Sequence, residues 1–318
     1  MTHSTSLRVV FMGTPEFAVS SLEAIRSSLH HLVGVVTVPD RPAGRGQKLQ
    51  MSDVKTYCLE HKLPVMQPES LTDNAFVKKL HSLRADVFVV VAFKLLPKMV
   101  FGIPKFGTFN CHASLLPDYR GAAPINWVII NGERETGVTT FFIDDKIDTG
   151  SIIEKTSTPI ADRDNAGSLH DKLKILGSQL VVSTLDKIAE GSANPVPQTH
   201  PNVLKKAPKL NPENRKIDWH VDGRTIVNLS RGLSPYPCAW TNMSFDNLTY
   251  SLKISEIEFE AATHREKIGS VICEKKAAKV AVHDGYIILK KLQFQGKKML
   301  DITDLLNGSA LKTGCMMG

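Results

Sequence analysis

The sequence predicts an N-terminal α/β domain followed by a smaller domain of short antiparallel strands. Three observations predict this architecture. Apolar strand-like runs alternate with helical patterns up to residue 190, a proline-containing segment follows, and short alternating runs occupy the C-terminal third. At 318 residues the chain is long enough for two hydrophobic cores. We therefore expect domains at 1–190 and 209–318, joined by an extended linker at 191–208.

The N-terminal domain begins with a β-α-β pattern. An apolar strand at 7–12 leads through Gly13, Thr14 and Pro15 into a helical pattern, and a second apolar strand covers 32–38. Pro15 suits the first turn of that helix. Continuous apolar strands are typical of parallel sheets buried on both faces. A Gly-x-Gly-x-x-Gly fingerprint is absent, so the sequence does not support a dinucleotide site.

Two further strands carry the first functional signal. Helical patterns at 52–60 and 73–83 precede an apolar strand at 86–92, and residues 107–112 form the next predicted strand. Open α/β sheets bind ligands at the carboxyl ends of their strands. Because Gly13, Phe93 and His112 all follow or end such strands, we expect them to share a cleft.

The strand at 107–112 alternates apolar and polar side chains. Phe109 and Cys111 point to one face, and Asn110 and His112 point to the other. Taken alone, such a pair is more often a solvated strand end. The turn at 144–150 contains Asp148, which is either an Asx-turn former or a partner that orients the imidazole and moves a proton.

The rest of the N-terminal pattern completes the α/β domain. We expect a helix at 125–131, strands at 137–143 and 151–155, and a long amphipathic helix at 165–190. Residues 39–49 combine glycines, prolines and basic side chains, which predicts an exposed loop. Arg45, flanked by Gly44 and Gly46, is equally well explained as a phosphate contact or as a solvated side chain.

The C-terminal third predicts a small antiparallel barrel or sandwich. A helix at 223–233 precedes predicted strands at 248–254, 269–273, 279–283, 286–292 and 297–299. Residues 209–318 have a net charge of +4, against +3 for the longer segment 1–208. The strands and turns contain seven lysines that form either a basic binding face or an ordinary soluble surface: 275, 276, 279, 290, 291, 297 and 298.

Composition excludes several classes of protein. No apolar run approaches the ~20 residues of a membrane-spanning helix, and residues 1–7 lack a signal-peptide core. The five cysteines are scattered without a CxxC pair, which indicates neither a disulfide framework nor a cysteine zinc site. We expect a cytoplasmic protein. The net charge of +7 is compatible with a polyanionic partner.

Motifs in both domains resemble those of a known enzyme family. The run Asn110-Cys-His-Ala-Ser-Leu-Leu-Pro117, followed by Tyr-Arg-Gly-Ala-Ala-Pro124, resembles the signature of enzymes that transfer formyl from 10-formyltetrahydrofolate. Asp148-Thr-Gly150 is similar to the partner motif of that family. Gly13-Thr-Pro15, the 39–48 loop and Ser234–Trp240 are similar to the family members that formylate methionyl-initiator tRNA. The resemblance implies a Rossmann-like formyltransferase domain and an OB-like C-terminal β-barrel.

The resemblance also implies roles for individual residues. Asn110 and His112 would stabilise the oxyanion of a tetrahedral intermediate, while Asp148 would hold His112 and accept the amine proton through a water. The folate would be bound by Phe93, Lys94, Leu95, Ser114, Leu115, Leu116 and Pro117. The tRNA would be bound by Arg41, Arg45, Lys48, Lys205 and Lys206. The resemblance implies that no metal is needed. Nothing in the sequence demands an oligomer, so we expect a monomer, and we expect no membrane binding.

Two rival functions belong to other classes. One is a folate-dependent formyltransferase or a formyl-folate hydrolase acting on a small molecule, which would share Asn110, His112 and Asp148 but not need the basic loop and barrel. The other is a non-catalytic RNA-binding protein, which would not need these three residues intact. Formyl transfer to aminoacyl-tRNA or to small amines discriminates between them.

Overall fold

The computed structural model describes residues 6–43, 48–199, 203–308 and 311–318. The chain forms two compact units, each assembled from separate segments. The first comprises residues 1–121, 135–158 and 170–206, and the second comprises residues 122–134, 159–169 and 207–318. These units divide the chain at different points from the expected linear segmentation at 190 and 208, whose boundaries stay a prediction.

Helices and strands alternate through the first part of the chain, and strands dominate the last part. In the described residues the helices are α1 (Glu16–Ser27), α2 (Asp53–Glu60), α3 (Asn74–Ser82), α4 (Lys98–Phe101), α5 (Pro124–Ile130), α6 (Ala166–Glu190), α7 (Gly223–Leu233) and α8 (Ile302–Asn307). The strands up to residue 207 are β1 (Arg8–Gly13), β2 (His31–Val36), β3 (Arg41–Ala43), β4 (Lys48–Gln50), β5 (Val65–Met66), β6 (Val87–Val91), β7 (Thr108–His112), β8 (Arg120–Gly121), β9 (Glu135–Phe142), β10 (Ile152–Pro159) and β11 (Lys206–Ala207).

The later strands are β12 (Ala239–Phe245), β13 (Leu248–Ala261), β14 (Val271–Cys273), β15 (Ala278–Val282), β16 (Gly285–Phe294), β17 (Leu300–Asp301) and β18 (Met316–Met317). No helix in the described ranges is both long enough and apolar enough to cross a bilayer.

A seven-stranded sheet is the centre of the first unit. Its strand order is β10-β9-β7-β6-β1-β2-β5. Strands β7, β6, β1, β2 and β5 run parallel, and β9 pairs antiparallel with β7. This topology confirms the predicted α/β architecture. It also brings the carboxyl ends of β1, β6 and β7 to one edge of the sheet, because these three strands are adjacent and parallel.

The apolar pattern of β1 and β6 follows from burial on both faces. On one face Val10, Met12, Phe88 and Val90 pack in a cluster that includes Phe76 and Leu80 of α3. Burying a side chain of this size contributes about 1.5–3 kcal/mol. Helices α2 and α3 are N-capped by Ser52 and Asp73, whose side chains accept hydrogen bonds from the Lys55 and Phe76 amides at 3.1 and 3.2 Å.

The second unit contains a nearly closed antiparallel barrel. Its strand order is β14-β15-β16-β13-β12-β18, with β17 also paired to β16. The Val271 amide donates to Cys315 O at 2.9 Å, and the Met317 amide donates to Gly269 O at 2.8 Å. These bonds join the two ends of the strand order, which confirms the predicted barrel. Ala239, Thr241 and Met243 point inward from β12, because alternate residues of a strand face the core.

Three local expectations were wrong. Strand β12 was not predicted, since the prolines at 235 and 237 mark the segment before it as irregular. The loop expected at 39–49 contains a short ladder in which Arg41 pairs with Gln50. The strand expected at 297–299 begins later, as β17. In the ladder and at β17, two or three residues were too few for a periodic signal to define a strand.

Candidate active site

The carboxyl ends of β1, β6 and β7 form the predicted edge of the sheet. Gly13 ends β1 at a close approach, because a Cβ there would lie 2.7 Å from Ala18 Cβ and 3.0 Å from Val91 O. Beyond β6 the chain turns at Ala92, which has a φ of +46°. His112 is the last residue of β7. The structure therefore confirms that these three strand ends are neighbours.

His112 is enclosed, and one of its ring nitrogens is already bonded. The side chain is 7% exposed, and Nε2 lies 2.9 Å from Tyr119 O. A carbonyl oxygen only accepts hydrogen bonds, so Nε2 carries a hydrogen and donates it. Tyr119 adopts a φ of +61°, which turns its backbone within the loop that follows β7. The remaining ring nitrogen, Nδ1, is the one available for chemistry.

Asp148 faces that remaining nitrogen. Its Oδ2 lies 3.8 Å from His112 Nδ1, within the range of an ion pair but beyond a direct hydrogen bond. The same oxygen accepts a hydrogen bond from the Gly121 amide at 3.0 Å. Asp148 has a φ of +54°, and Gly150 follows where a Cβ would lie 1.7 Å from Phe142 O. The tight turn that the sequence indicated thus aims the carboxylate at the imidazole.

Asn110 lies two residues before His112 and shares its strand face. In the described part of the chain its side-chain amide makes no hydrogen bond, and the residue is only partly buried. The opposite face of β7 packs on α6, where Cys111 Sγ lies 3.9 Å from Gly177 O. Burial raises the pKa of the Cys111 thiol to about 12, so it stays protonated. The chemistry of this strand therefore belongs to the Asn110 and His112 face.

The loop after β7 is fixed by hydrogen bonds among its own residues and the neighbouring strands. Ser114 Oγ donates to Asp118 O at 2.7 Å, and Thr139 Oγ1 accepts from the Leu116 amide at 3.1 Å while donating to Ser114 O at 2.7 Å. Lys155 Nζ donates to Leu116 O. Burial lowers the pKa of Lys155, and the nearby Asp118 carboxylate opposes that shift. These hydrogen bonds hold the loop in a single conformation.

The predicted folate residues differ in their exposure. Ser114 and Leu116 are fully buried, so they shape the loop from inside it. Leu115, Pro117 and Phe93 are partly exposed, Lys94 is exposed, and Leu95 is 65% exposed. The accessible members are therefore the strand end at 93–95 and the outer residues of the loop. That all seven contact folate stays a prediction.

The predicted tRNA contacts lie in two segments of the first unit. Arg41 is exposed in β3, while Arg45 and the side chain of Lys48 lie outside what the structure describes. Lys205 and Lys206 are exposed, and β11 begins at Lys206. Their contact with RNA stays a prediction.

Sequence reasoning missed residues that hold the His112 and Asp148 pair. Tyr119 supplies the carbonyl for His112, Thr139 and Lys155 fix the loop, and Gln198 donates to Asp148 O at 3.0 Å. Gln198 lies 50 residues after Asp148 in the expected linker. No local pattern marks such a partner. The Asp148-Thr-Gly150 motif was a signal for the turn alone.

Comparisons with known proteins identify the family of the chain. A family model described as formyl transferase matches residues 7–185, and one described as formyl transferase, C-terminal domain, matches residues 209–310. A protein of Flavobacterium psychrophilum named methionyl-tRNA formyltransferase is 52% identical over 304 residues, covering 95% of this chain and 96% of the relative. One of the same name from Bacteroides thetaiotaomicron is 48% identical over 316 residues, covering 98% of each.

A solved structure shares the fold at lower identity. The N-formyltransferase from Helicobacter canadensis, in complex with folinic acid and dTDP-3-aminofucose, superimposes with a TM-score of 0.65 at 23% identity. The match covers 89% of this chain and 98% of that protein. At this identity the likeness supports the architecture alone.

Proposed function

Since the chain belongs to the methionyl-tRNA formyltransferase family, we propose that it transfers the formyl group of 10-formyltetrahydrofolate to the α-amine of methionyl-initiator tRNA. The observation that carries the proposed site is the approach of Asp148 Oδ2 to His112 Nδ1 at 3.8 Å. His112 lies on the strand face that also presents the Asn110 amide, which makes no hydrogen bond within the described residues. An enclosed imidazole, a carboxylate and an amide donor suit an acyl-type transfer to an amine.

The site's own residues account for stabilisation of negative charge. The formyl group arrives on folate already activated for transfer, so the proposed chemistry requires no metal. As the amine attacks, negative charge develops on the formyl oxygen. The tetrahedral intermediate then collapses as the bond between the formyl carbon and N10 of the folate breaks. N10 takes up a proton in place of the one that the amine has lost, and tetrahydrofolate leaves. The Asn110 amide donates to that oxygen, and His112 donates from Nδ1 when the ring is a cation. Removing one such donor costs about 10²–10³ in rate.

Asp148 has two tasks in this proposal. Its carboxylate stabilises the His112 cation, since the two groups are close and largely enclosed. It also receives the proton of the attacking amine through a bridging water, because the 3.8 Å separation leaves the carboxylate without a direct bond to the ring. The Gly121 amide keeps one carboxylate oxygen in place during this transfer.

The folate is proposed to lie against the strand end at 93–95 and the exposed side of the loop at 114–117. Phe93 and Leu95 offer apolar area, and the backbone after β6 offers hydrogen-bonding groups to the ring edge. The buried Ser114 and Leu116 contribute by fixing the loop. A preformed loop reduces the ordering that binding would otherwise require.

The RNA is proposed to contact basic residues in both units. Of the seven barrel lysines, three have acidic partners: Lys279 with Glu274 at 3.3 Å, Lys290 with Glu258 at 2.8 Å and Lys291 with Asp301 at 3.5 Å. Within the described chain, the other four have none and are exposed: Lys275, Lys276, Lys297 and Lys298.

These four join Arg41, Arg45, Lys48, Lys205 and Lys206 as proposed phosphate contacts. The four barrel lysines without an acidic partner in the described chain are available to phosphates, and binding should weaken steeply with salt. We propose that the protein acts in translation initiation as a cytoplasmic monomer.

A formylation assay tests the function. The protein is incubated with 10-formyltetrahydrofolate and either methionyl-initiator tRNA or small-molecule amines, and the formylated product and free formate are measured. We expect formyl on the aminoacyl-tRNA. Product only on small amines, or formate alone, would instead support the small-molecule transferase or hydrolase. No product with intact RNA binding would support the non-catalytic RNA-binding protein.

A further inference from the structure

The segment after α6 is attached to the first unit beside the catalytic edge. We call its described residues, 196–199 and 203–206, the strap. Val196 and Ile152 exchange two backbone hydrogen bonds, each 2.8 Å long. This pairing places the following residues against the turn that carries Asp148. The strap therefore does more than connect two parts of the chain.

Gln198 is the strap residue closest to the chemistry. It is 7% exposed. Its Nε2 donates to Asp148 O at 3.0 Å and to Gly150 O at 2.8 Å. Its Oε1 accepts from Arg120 Nε at 3.1 Å and from Arg120 Nη2 at 2.6 Å. One buried amide thus joins the Asp148 turn to the loop that follows His112.

These contacts close a ring around the carboxylate. Arg120 precedes Gly121, whose amide donates to Asp148 Oδ2 at 3.0 Å. Gln198 holds the backbone of the same aspartate, which adopts a φ of +54°. A non-glycine residue in that region persists when its surroundings fix it from several sides. Here Gln198 fixes the backbone, and Gly121 fixes the side chain.

A second point of the strap acts on the histidine. The Lys205 amide donates to Asp118 Oδ1 at 3.2 Å, and Lys205 O accepts from the Tyr119 amide at 2.6 Å. The carbonyl of Tyr119 in turn accepts from His112 Nε2 at 2.9 Å. The strap thus contacts Asp148 directly through Gln198 and reaches His112 through one intervening residue, Tyr119.

We propose that the strap positions the pair, with Gln198 as the positioning residue for Asp148 and the Lys205 backbone as the support for Tyr119. The proposal rests on the proposed function for its kinetic readout. Since Lys205 and Lys206 are also proposed RNA contacts, the element that binds RNA is the element that aligns the site. Misalignment of a reacting group costs rate without altering substrate binding.

The kinetic test compares Gln198→Met with Val196→Ala. Methionine keeps the length of the side chain and removes its hydrogen bonds, whereas the Val196 side chain is 62% exposed and only its backbone pairs. We expect Gln198→Met to lower kcat about tenfold or more with little change in KM for methionyl-tRNA. The control should retain kcat. Full kcat in Gln198→Met, or an equal loss in Val196→Ala, would overturn the proposal.

A double-mutant cycle separates positioning from a general structural role. In an Asp148→Asn background, measured in single turnovers, Gln198→Met should add little further loss, because the residue acts through Asp148. An undiminished further loss would contradict the proposal. Gln198→Glu is the second variant. It keeps the Arg120 contact but sets carboxylate oxygens against two carbonyls, and it should also lose kcat.

Amide hydrogen exchange tests the strap without relying on formyl transfer. In Gln198→Met the Gly121 amide should exchange faster than in the unaltered protein, and in Val196→Ala it should not. Unchanged exchange in Gln198→Met would refute the positioning role. The exchange difference could appear even if the unaltered protein failed to formylate tRNA. In that case the proposed function would be refuted, and the positioning role of the strap would still be supported.

Discussion

Two enclosed histidines in the described part of the first unit, His30 and His112, each lie next to an aspartate, and their ring nitrogens have different partners. His30 Nδ1 accepts from the Leu7 amide at 3.2 Å, and its Nε2 lies 3.1 Å from Asp186 Oδ1. His112 Nε2 donates to Tyr119 O, whereas its Nδ1 faces Asp148 at 3.8 Å. Both rings are enclosed. Only His112 keeps a nitrogen without a direct hydrogen bond in this geometry.

The difference separates a structural pair from a reactive one. At His30 both nitrogens are committed, one as acceptor and one as donor, which fixes the neutral ring. Burial lowers the pKa of His30, and the Asp186 carboxylate opposes that shift. At His112 the Nδ1 atom makes no direct hydrogen bond to Asp148, so a water or substrate atom lying beside the pair can bond to both groups. Burial next to an acid is therefore a poor marker of catalysis, and the uncommitted atom is a better one.

The largest expected effect contrasts the two acids. Asp148→Asn removes the charge that stabilises the His112 cation and accepts the proton, so kcat should fall by about 10²–10⁴. Asp186→Asn removes an acid of the same kind from the structural pair and should change kcat by no more than about twofold. Steady-state kinetics with methionyl-tRNA measures both. Similar losses in the two variants would break the distinction.

Asn110→Ala removes the amide that has no partner within the described chain. We expect turnover to fall by about 10²–10³ while the affinity for tRNA is retained, since the amide acts only on charge that develops during transfer. Single-turnover rates and RNA binding are measured on the same protein. A variant with full turnover would refute the assignment of Asn110 as an oxyanion donor.

The third prediction concerns the pH dependence of stability. The pKa of His30 is lower in the folded protein than in the unfolded chain, so the neutral ring stabilises the fold above about pH 6.5. That stability is lost as the pH falls through the folded pKa, because the protonated Nδ1 no longer accepts the Leu7 N–H. Thermal unfolding midpoints between pH 5 and about pH 8 should therefore drop on acidification.

Two variants assign this pH dependence. His30→Asn keeps an acceptor near the Leu7 amide without a titrating ring, and it should flatten the acid side of the curve at a cost of about 1–3 kcal/mol from the lost Asp186 contact. His31→Asn alters the neighbouring exposed histidine, which is only the smallest cause of the lowered His30 pKa, and it should change the curve far less than His30→Asn. An unflattened curve in His30→Asn would show that another group titrates.

The smallest expected effect extends the comparison to the barrel lysines. Replacing Lys297 and Lys298 with alanine removes two cations without acidic partners in the described chain, so the dissociation constant for tRNA should rise about three- to tenfold with a shallower salt slope. Replacing Lys290 and Lys291 removes the same charge from lysines paired with Glu258 and Asp301. Measuring tRNA binding across a salt series should distinguish the two double variants. Identical effects on the dissociation constant would remove the distinction between paired and unpaired lysines.

The sequence predicted the elements of the site better than the way they are held. Alternation in β7 placed Asn110 and His112 on one face, and apolar runs identified β1 and β6, because each signal is local. The structure adds the order of these strands in the sheet. For Asp148 the residues left two readings open, a turn former or a partner of the imidazole, and the resemblance favoured the second.

The supporting contacts depend on distances along the chain that no local pattern encodes. Gln198 meets Asp148 across 50 residues, and Lys205 meets Asp118 across 87. The linker composition predicted an extended segment, and it gave no indication that this segment would be anchored at the catalytic turn. His30 gave no signal either, because its two partners come from Leu7, just before β1, and from α6.

Nitrogen NMR of the two histidine rings tests most directly the distinction between the structural His30 and the reactive His112. The protein is labelled with ¹⁵N-histidine, and the ring signals are assigned with His112 and His30 variants before methionyl-tRNA and an unreactive folate are added. We predict that the His112 Nδ1 resonance shifts on addition while both His30 nitrogens keep their positions. A stationary His112 signal, or an equal shift at His30, would contradict the account.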